Sequence, residues 1–313
     1  MTPTPTHSHP GNPDVVPPLD ERVAGAPISW GVCEVPGWGW QYDAPTVLSE
    51  MAESGLVATE FGPDGFLPDD PAEKAEALRA HGLQAVGQFV PVVLHDPGHD
   101  PLTTVDRALD SLVAAGASTV VLAAATGAEG YDRRPELDDA GWDTVLANLE
   151  RLAEAVSRRG LTPTLHPHVG TMVETEAEVD RVLDGSTIGL CLDTGHLLIG
   201  GGDPVALATR HPERIAHVHL KDVRLDWVRR VRGGEVTYTE AVKGGMYVPL
   251  GRGDVDVRAI VHALEDAGYA GWYVLEQDTV LDGPPEGEGP KGAVMESLGH
   301  LLGIEAQRSG VGI

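Results

Sequence analysis

The sequence is poor in cysteine, and this shortage excludes two classes of protein. Only two cysteines, Cys33 and Cys191, occur among 313 residues. Each lies in an apolar, strand-like run, so we expect two buried free thiols, as is usual in a reducing compartment. A fold held by disulfides and a cysteine-ligated zinc module are both excluded, because no CxxC or other zinc-finger spacing is present.

Basic residues are also scarce. The chain has 22 Lys and Arg residues against 48 Asp and Glu residues, which gives a formal net charge of −26. A phosphate backbone is bound through Lys and Arg side chains, so we expect no nucleic-acid partner. The same scarcity argues against binding to an anionic membrane surface. We interpret the acidic surplus as a well-solvated surface.

Long hydrophobic runs are missing as well. No stretch approaches the roughly 20 apolar residues that span a bilayer, and the N-terminus lacks the basic patch and apolar run of a signal peptide. We therefore expect a soluble, cytoplasmic protein with no membrane partner. Residues 1–25 are rich in proline and have little apolar periodicity, which predicts a disordered N-terminal arm.

What the sequence does contain is a regular alternation of apolar runs and helical spacing over residues 26–306. Eight units in strict strand–helix alternation predict a single-domain (β/α)₈ TIM barrel. A doubly wound sheet is less favoured because no GxGxxG follows the first strand. The predicted strands are 28–33, 56–61, 83–90, 118–124, 161–166, 188–193, 215–220 and 272–276. The predicted helices are 44–54, 71–81, 102–115, 139–159, 174–183, a short one from 203, 257–267 and 292–302.

Polar residues recur where these predicted strands end. The carboxyl ends of barrel strands open on one mouth, where active sites lie. We therefore expect a functional site formed by the residues at the strand ends. In chain order these are Glu34, Glu60, Gln88, Thr126, His166 with His168, Asp193 with His196, His219 with Lys221, and Glu276 with Gln277.

Four of these residues form a candidate metal site: His166, Asp193, His219 and Glu276. A mixed imidazole and carboxylate set suits Mn²⁺, Co²⁺, Zn²⁺ or Fe²⁺, and carboxylates that cluster in an apolar setting need a cation. Asp193 could instead cap a helix, and Glu276 could form a salt bridge. His168 could replace His166, because both point the same way on a strand.

The neighbours of this set are candidates for other roles. His217 is predicted to be a core histidine that donates to a backbone carbonyl, since it lies farther from the strand end than His219. Lys221 is either an exposed residue or, beside a metal that lowers its pKa, a base or proton donor. His196 could bind a substrate hydroxyl or support a metal ligand. Glu34 and Glu60 are weaker candidates for substrate contact.

The segment 222–255 is a long connection for a barrel. Loops of this length with no clear structure are often lids, binding loops or interface elements. It contains Arg229, Arg230 and Arg232. These arginines could bind an anionic substrate group or form an ion-pair network.

Several motifs together resemble the xylose isomerase-like TIM barrels, a superfamily of metal-dependent sugar isomerases and epimerases, and within it the myo-inosose-2 dehydratase branch. The similarity spans about residues 28–305. The motifs are WGVCE (30–34), HPHVGT (166–171), CLDTGH (191–196), HVHLKDVR (217–224), VPLGRG (248–253), and GYAGW (268–272) continuing to EQD (276–278).

The resemblance implies a divalent metal, most often Mn²⁺ or Co²⁺, on His166, Asp193, His219 and Glu276. In the epimerases of this superfamily the strand-5 ligand is a glutamate, and two glutamates act as opposed bases. Here that position is His166, which favours the dehydratase branch, although residues 279–291 depart from its pattern. Homo-oligomers, either dimers or tetramers, are common in such barrels.

The resulting hypothesis is a metal-dependent lyase that dehydrates a keto-polyol such as a keto-inositol. A metal would polarise the oxygens of the substrate, a base would remove the α-proton, and an acid would protonate the departing hydroxyl. The alternatives are a sugar isomerase or epimerase and a 3-keto-glycoside lyase. The predicted catalytic residues are Lys221, His196 and Glu276, and the predicted substrate-binding residues are Glu34, Glu60, His168 and Arg224.

Overall fold

A computed structural model of the chain describes residues 16–285, 287–308 and 310. Its centre is a nearly closed barrel of parallel strands, which confirms the predicted fold. The third strand has two segments; the first pairs with the second strand and the other with the fourth, so this strand connects the two edges of the sheet. The strands are β1 Val23–Gly25, β2 Ala58–Thr59, β3 Gln84–Ala85 and Gly87–Val93, β4 Thr119–Ala125, β5 Thr162–Leu165, β6 Gly189–Asp193, β7 Ile215–Leu220 and β8 Tyr273–Leu275.

Helices form the outer layer, and most begin at an aspartate. Seven aspartates accept a hydrogen bond from a backbone N–H in the first helical turn, and proline often follows at once, which is why the helices begin there. The capping residues are Asp43, Asp70, Asp100, Asp138, Asp193, Asp203 and Asp256. The helices are α1 Ala44–Glu53, α2 Pro71–Ala80, α3 Pro101–Ala115, α4 Asp139–Arg158, α5 Glu176–Gly185, α6 Thr194–Ile199, α7 Pro204–Arg210, α8 Leu225–Arg232, α9 Tyr238–Lys243, α10 Val257–Asp266 and α11 Gly289–Arg308.

The N-terminal region differs from the prediction. β1 is Val23–Gly25, inside the segment predicted as an arm, and the predicted strand 28–33 is wrong because Pro27–Trp30 forms a 3₁₀ helix. This helix ends at Gly31, whose φ of 77° is accessible to glycine at little cost. The strand was missed because it is only three residues long. Residues 1–15 of the predicted arm lie outside the described residues.

The connection after β7 is folded rather than structureless. Two short segments, Asp222–Val223 and Tyr247–Val248, pair antiparallel at its base, and α8 and α9 lie between them. We call residues 222–255 the β7 loop module. It packs around its own cluster of buried apolar side chains, which includes Val223, Val228, Tyr238, Val242 and Met246.

Two further expectations concern cysteine and membranes. Both cysteines are free, but only Cys191 is buried, while Cys33 is half-buried where the predicted first strand is absent. Among the helices that the structure describes, none combines the length and the apolar character that a membrane crossing requires.

A buried ion pair connects the two ends of the barrel. Arg22, which is 3% exposed, donates two hydrogen bonds of 2.9 Å to the carboxylate of Glu265 at the end of α10. It also donates to the carbonyl oxygens of Tyr269 and Gly271, both at 3.1 Å. Tyr273 in β8 donates to the same carboxylate at 2.8 Å. These bonds hold β1 beside β8, where the barrel closes.

Removing this arginine is expected to destabilise the protein strongly. Arg22→Ala leaves the buried Glu265 carboxylate with only the more distant Arg308, at 3.7 Å, which should lower the free energy of unfolding by about 3–5 kcal/mol. The matched control is Arg79→Ala, since Arg79 pairs with Glu76 on the surface with 69% and 63% of the two side chains exposed; it should cost under about 1 kcal/mol. Denaturant unfolding measures both, and similar losses would contradict this account.

Candidate active site

A cavity of about 450 Å³ opens at the carboxyl ends of the strands. Its volume lies within the range of small-molecule sites. It collects most of the residues that were predicted from the strand ends. The predicted site residues that line it are Glu34, Glu60, His166, His168, His219, Lys221 and Glu276.

The four predicted metal ligands come together, and three of them, His166, His219 and Glu276, line the floor of this cavity. His166, Asp193, His219 and Glu276 each offer an atom that lies within 4.8 Å of the other three. His166 Nε2 is 3.4 Å from Asp193 Oδ2, and His219 Nδ1 is 3.1 Å from Glu276 Oε2. The arrangement could hold a divalent cation.

The donor atoms of this group fit a cation. His166 Nδ1–H donates to the carbonyl oxygen of Pro167 at 2.9 Å, so its Nε2 carries a lone pair. His219 Nε2–H donates to Glu60 at 3.0 Å, so its Nδ1 is the free nitrogen. Asp193 Oδ2 and His219 Nδ1 are buried and have no hydrogen-bond partner in the described part of the chain. Buried polar atoms of this kind need a partner, and a cation would satisfy both.

Strand geometry explains why these atoms meet. Asp193 is the last residue of β6 and also caps α6, since its Oδ1 accepts the His196 N–H at 2.7 Å. Asp193 is therefore a helix cap and also a candidate metal ligand, the two roles that the sequence left open. The alternation of β7 places His217 and His219 on one face. Glu60, at the end of β2, accepts from His217 at 2.8 Å and so holds both imidazoles.

Two other groupings fall within metal-binding distance, but both depend on His219. They are Glu60 with His217 and His219, and His166 with Cys191 and His219. In the first, the carboxylate oxygen already accepts from both imidazoles. In the second, burial raises the pKa of Cys191 to about 11, so its thiol keeps its proton. His217 is buried, as predicted, but its Nε2 pairs with the Glu60 carboxylate and not with a backbone carbonyl.

Electrostatics favour positive charge at the floor of the cavity. Burial alone would raise the pKa of Glu60, but His219 and His217 outweigh it and lower the pKa to about 2. Burial would likewise raise the pKa of Asp193, but Lys221 and His166 hold it below its usual value. Both carboxylates are therefore ionised at neutral pH.

Lys221 lies at the centre of three carboxylates. Its Nζ is 2.5 Å from Asp278 Oδ1, 3.0 Å from Glu276 Oε2 and 3.5 Å from Asp193 Oδ2. Burial alone would lower the pKa of this ammonium, but these carboxylates raise it well above the usual value. This raised pKa is that of Lys221 among the carboxylates alone, so the lowered pKa expected beside a bound metal stays a prediction. Lys221 is a buried cation rather than an exposed end-of-strand residue.

His196 and His168 have different positions from those predicted. His196 is fully buried and is not among the residues that line the cavity, so its predicted catalytic role stays a prediction. Its ring lies 3.7 Å from that of His168, measured between centroids, and its Nε2 is 3.3 Å from Lys221 Nζ. His168 lines the cavity instead. Its Nδ1–H donates to the Val169 carbonyl at 2.7 Å, which leaves Nε2 as an acceptor.

The β7 loop module contributes residues that the sequence did not assign. Tyr238 lines the cavity, and its hydroxyl donates to Asp278 Oδ2 at 2.6 Å and lies 3.0 Å from the hydroxyl of Tyr247. Asp278 follows β8 by three residues and connects this pair to Lys221. Asp278 is part of the EQD motif, but the site role was predicted for Glu276 because Glu276 lies nearer the strand end.

The rim of the cavity includes Glu34 but not Arg224. Glu34 accepts a hydrogen bond from Tyr131 across the opening. Arg224 is exposed, pairs with Asp226 at 3.0 Å and is not among the residues that line the cavity, so its predicted contact with substrate stays a prediction. It caps α8, and that turn directs the side chain outward. The arginines of α8 do not line the cavity either.

Comparison with known proteins identifies one family and several similar proteins. A profile of the family described as xylose isomerase-like TIM barrel matches residues 34–301. The chain is 35% identical over 270 residues to the inosose dehydratase of Geobacillus kaustophilus (strain HTA426), which covers 82% of this chain and 87% of that protein. It is 35% identical over 266 residues to the rhizopine catabolism protein MocC of Rhizobium meliloti, with 82% of this chain and 81% of that protein covered.

Solved structures share the architecture. The IolI protein, whose crystal structure contains a bound zinc atom, aligns with a TM-score of 0.68 at 14% identity and covers 91% of this chain and 98% of its own. At that identity the likeness shows the fold alone. The zinc atom belongs to that protein.

The metal-binding geometry can be tested by elemental analysis. The purified protein is expected to contain about one divalent transition metal ion per chain. His166→Ala removes one donor and should lower the affinity at least about tenfold. His211→Ala, on the outside of the barrel between α7 and β7, is the matched control and should keep the metal. Full metal content in the His166 variant would rule out this ligand set.

Proposed function

The chain belongs to the xylose isomerase-like TIM barrel family, and from that premise we propose that it is a divalent-metal-dependent lyase that dehydrates a keto-polyol. The convergence of four metal-ligand atoms with Lys221 and His168 on one cavity is the observation that carries the proposal. The similarity to proteins named inosose dehydratase supports a substrate of the 2-keto-myo-inositol type. Mn²⁺ or Co²⁺ is the cation we expect, with Zn²⁺ or Fe²⁺ as alternatives.

The ligand set defines where the substrate binds. His166, Asp193, His219 and Glu276 would hold the cation, which when bound would supply a Lewis acid for the charge that develops on the substrate carbonyl oxygen. Glu60 keeps His219 in the tautomer that presents Nδ1 to the site. The carbonyl end of the substrate therefore lies over the floor of the cavity.

Two side chains on the cavity can move protons. We assign the removal of the α-proton to His168, because its Nε2 is an acceptor and burial lowers its pKa well below the usual value. We assign protonation of the departing β-hydroxyl to Lys221, which its neighbours keep as an ammonium. One proton leaves carbon, one joins the hydroxyl, and the products are an unsaturated ketone and water. His196 acts as a positioning residue between the two.

The remaining expectations belong to the same proposal. A cytoplasmic location fits such an enzyme. A homo-oligomer, either a dimer or a tetramer, and the absence of a nucleic-acid or membrane partner stay predictions.

The proposal is tested by the mass of the product. With Mn²⁺ or Co²⁺, the protein is expected to convert 2-keto-myo-inositol to a product that lacks one water, as read by mass spectrometry. A chelator should abolish the reaction, and returning the cation should restore it. A product of unchanged mass would identify an isomerase or epimerase instead. No turnover of any keto-polyol by the metal-loaded protein would end the proposal.

The proton-transfer assignments predict a loss of kcat without a matching change in KM. Lys221→Met and His168→Asn should each lower kcat by about 10²–10⁴-fold, while KM changes little, because neither residue belongs to the metal-ligand set. Lys243→Met, an exposed lysine of α9, is the matched control and should retain full activity. Steady-state kinetics measure the effect. A change confined to KM would assign these residues to binding rather than to proton transfer.

A further inference from the structure

Part of the cavity is lined by residues that the proposed reaction does not use, and we call this part the arm. One side of this arm is formed by Gly62, Pro63 and Asp64 of the loop after β2. The other side is formed by residues of α3, a helix of the outer layer. They are Thr103, Thr104, Arg107 and Ala108. The arm therefore leads from the barrel mouth to the outside of the strand barrel.

The opening lies between β2 and β3. These strands pair only at Ala58 with Gln84 and at Thr59 with Ala85. Three backbone hydrogen bonds of 3.0 Å connect these segments, and the last of them runs from the Phe61 N–H to the Gly87 carbonyl. β3 continues to Val93, and in the described part of the chain no strand pairs with that edge beyond Gly87. The sheet is consequently open where the arm passes.

Gln88 faces this arm rather than the barrel interior. Its neighbour Phe89 lies 5.7 Å from the ring of His166, measured between centroids, inside the mouth. Strand alternation places Gln88 on the opposite face, and it lines the cavity with only 4% of its surface exposed. The prediction that Gln88 ends a strand at the mouth is therefore wrong, because β3 runs five residues further.

The amide of Gln88 has one atom without a partner. Its Nε2 donates to Asp64 Oδ1 at 3.1 Å, and the carboxylate can only accept, so the amide orientation is determined. Its Oε1 is buried and has no hydrogen-bond partner among the described residues. A buried acceptor without a donor is unfavourable. A ligand that brings a hydroxyl into the arm would satisfy it.

The other surfaces of the arm suit the same kind of ligand. Thr103 and Thr104 contribute hydroxyls, while Pro63 and Ala108 contribute apolar surface. At the solvent end Arg107 pairs with Asp69 at 2.7 Å, with 64% and 73% of their side chains exposed. An arm that combines amide, hydroxyl and C–H surfaces and opens to solvent matches a polyhydroxylated group rather than an ion.

We propose that this arm is a subsite for a hydroxyl-bearing substituent, such as a glycosyl group, attached to the keto-polyol ring. The proposal rests on the proposed function for the position of the ring at the floor of the cavity. Gln88 Oε1 accepts a hydroxyl of the substituent, and Asp64 fixes the amide that offers it. The substrate class is accordingly a substituted keto-polyol.

Calorimetry of the Mn²⁺-loaded protein with two probes tests the subsite. The probes are myo-inositol and an O-glucoside of myo-inositol, which have no keto group and cannot react. The glucoside should bind at least about tenfold more tightly. Gln88→Leu should lower the affinity for the glucoside about tenfold and leave the affinity for myo-inositol unchanged. Gln84→Leu, at an exposed position of the same strand, is the matched control and should change neither.

A second variant keeps the test decisive if Gln88→Leu does not fold. Ala108→Leu narrows the arm from α3 and should weaken only the glucoside. Equal affinity of the wild type for both probes, binding of neither, or an equal loss for both in the variants would overturn the subsite. Water loss from a keto-inositol without a glucoside preference defeats the subsite alone. A glucoside preference without water loss supports the subsite and defeats the proposed reaction.

Discussion

Buried negative charge at the floor of the cavity is the constraint on which the rest of the site depends. Asp193, Glu276 and Asp278 converge on a single ammonium, that of Lys221. A carboxylate buried without a compensating charge costs several kcal/mol, and one ammonium cannot offset three carboxylates. Additional positive charge is therefore needed, either as a proton on His219, whose pKa its acidic neighbours raise despite burial, or as a divalent cation.

The fold of the β7 loop module is related to the same buried negative charge. Asp222 anchors it, because its carboxylate accepts the backbone N–H groups of Gly251, Gly253 and Val255 at 2.8, 2.9 and 3.0 Å. No side chain with a Cβ fits at Gly253, where that atom would lie 2.2 Å from Asp222. The anchored module brings Tyr238 over Asp278. A loop of this length is thereby ordered enough to complete the surroundings of Lys221.

The alternation of apolar runs and helical spacing in the sequence predicted the barrel and most residues at the floor of the cavity, since the side chains at the strand ends all lie at one mouth. The four metal-ligand candidates could be predicted from this rule alone. Other features depended on contacts that no local pattern records. β1 is too short to show periodicity, and the register of β3 decides the side on which Gln88 lies. His168 rather than His196 reaches the cavity because α6 begins at once after β6 and turns His196 inward.

The imidazole at the end of β5 affects the chemistry as well as the ligand count. Two carboxylates and two imidazoles carry a net charge of minus two, which balances a divalent cation and leaves the ligand set itself neutral. A carboxylate in place of His166 would add negative charge where an enolate oxygen must develop, and would disfavour it. It would also provide a second base opposite Glu276, as epimerisation requires. With His166 there, the ligand set has no such opposed pair of carboxylates facing the cavity. Elimination of water needs one base and one acid, and His168 and Lys221 are groups of those two kinds.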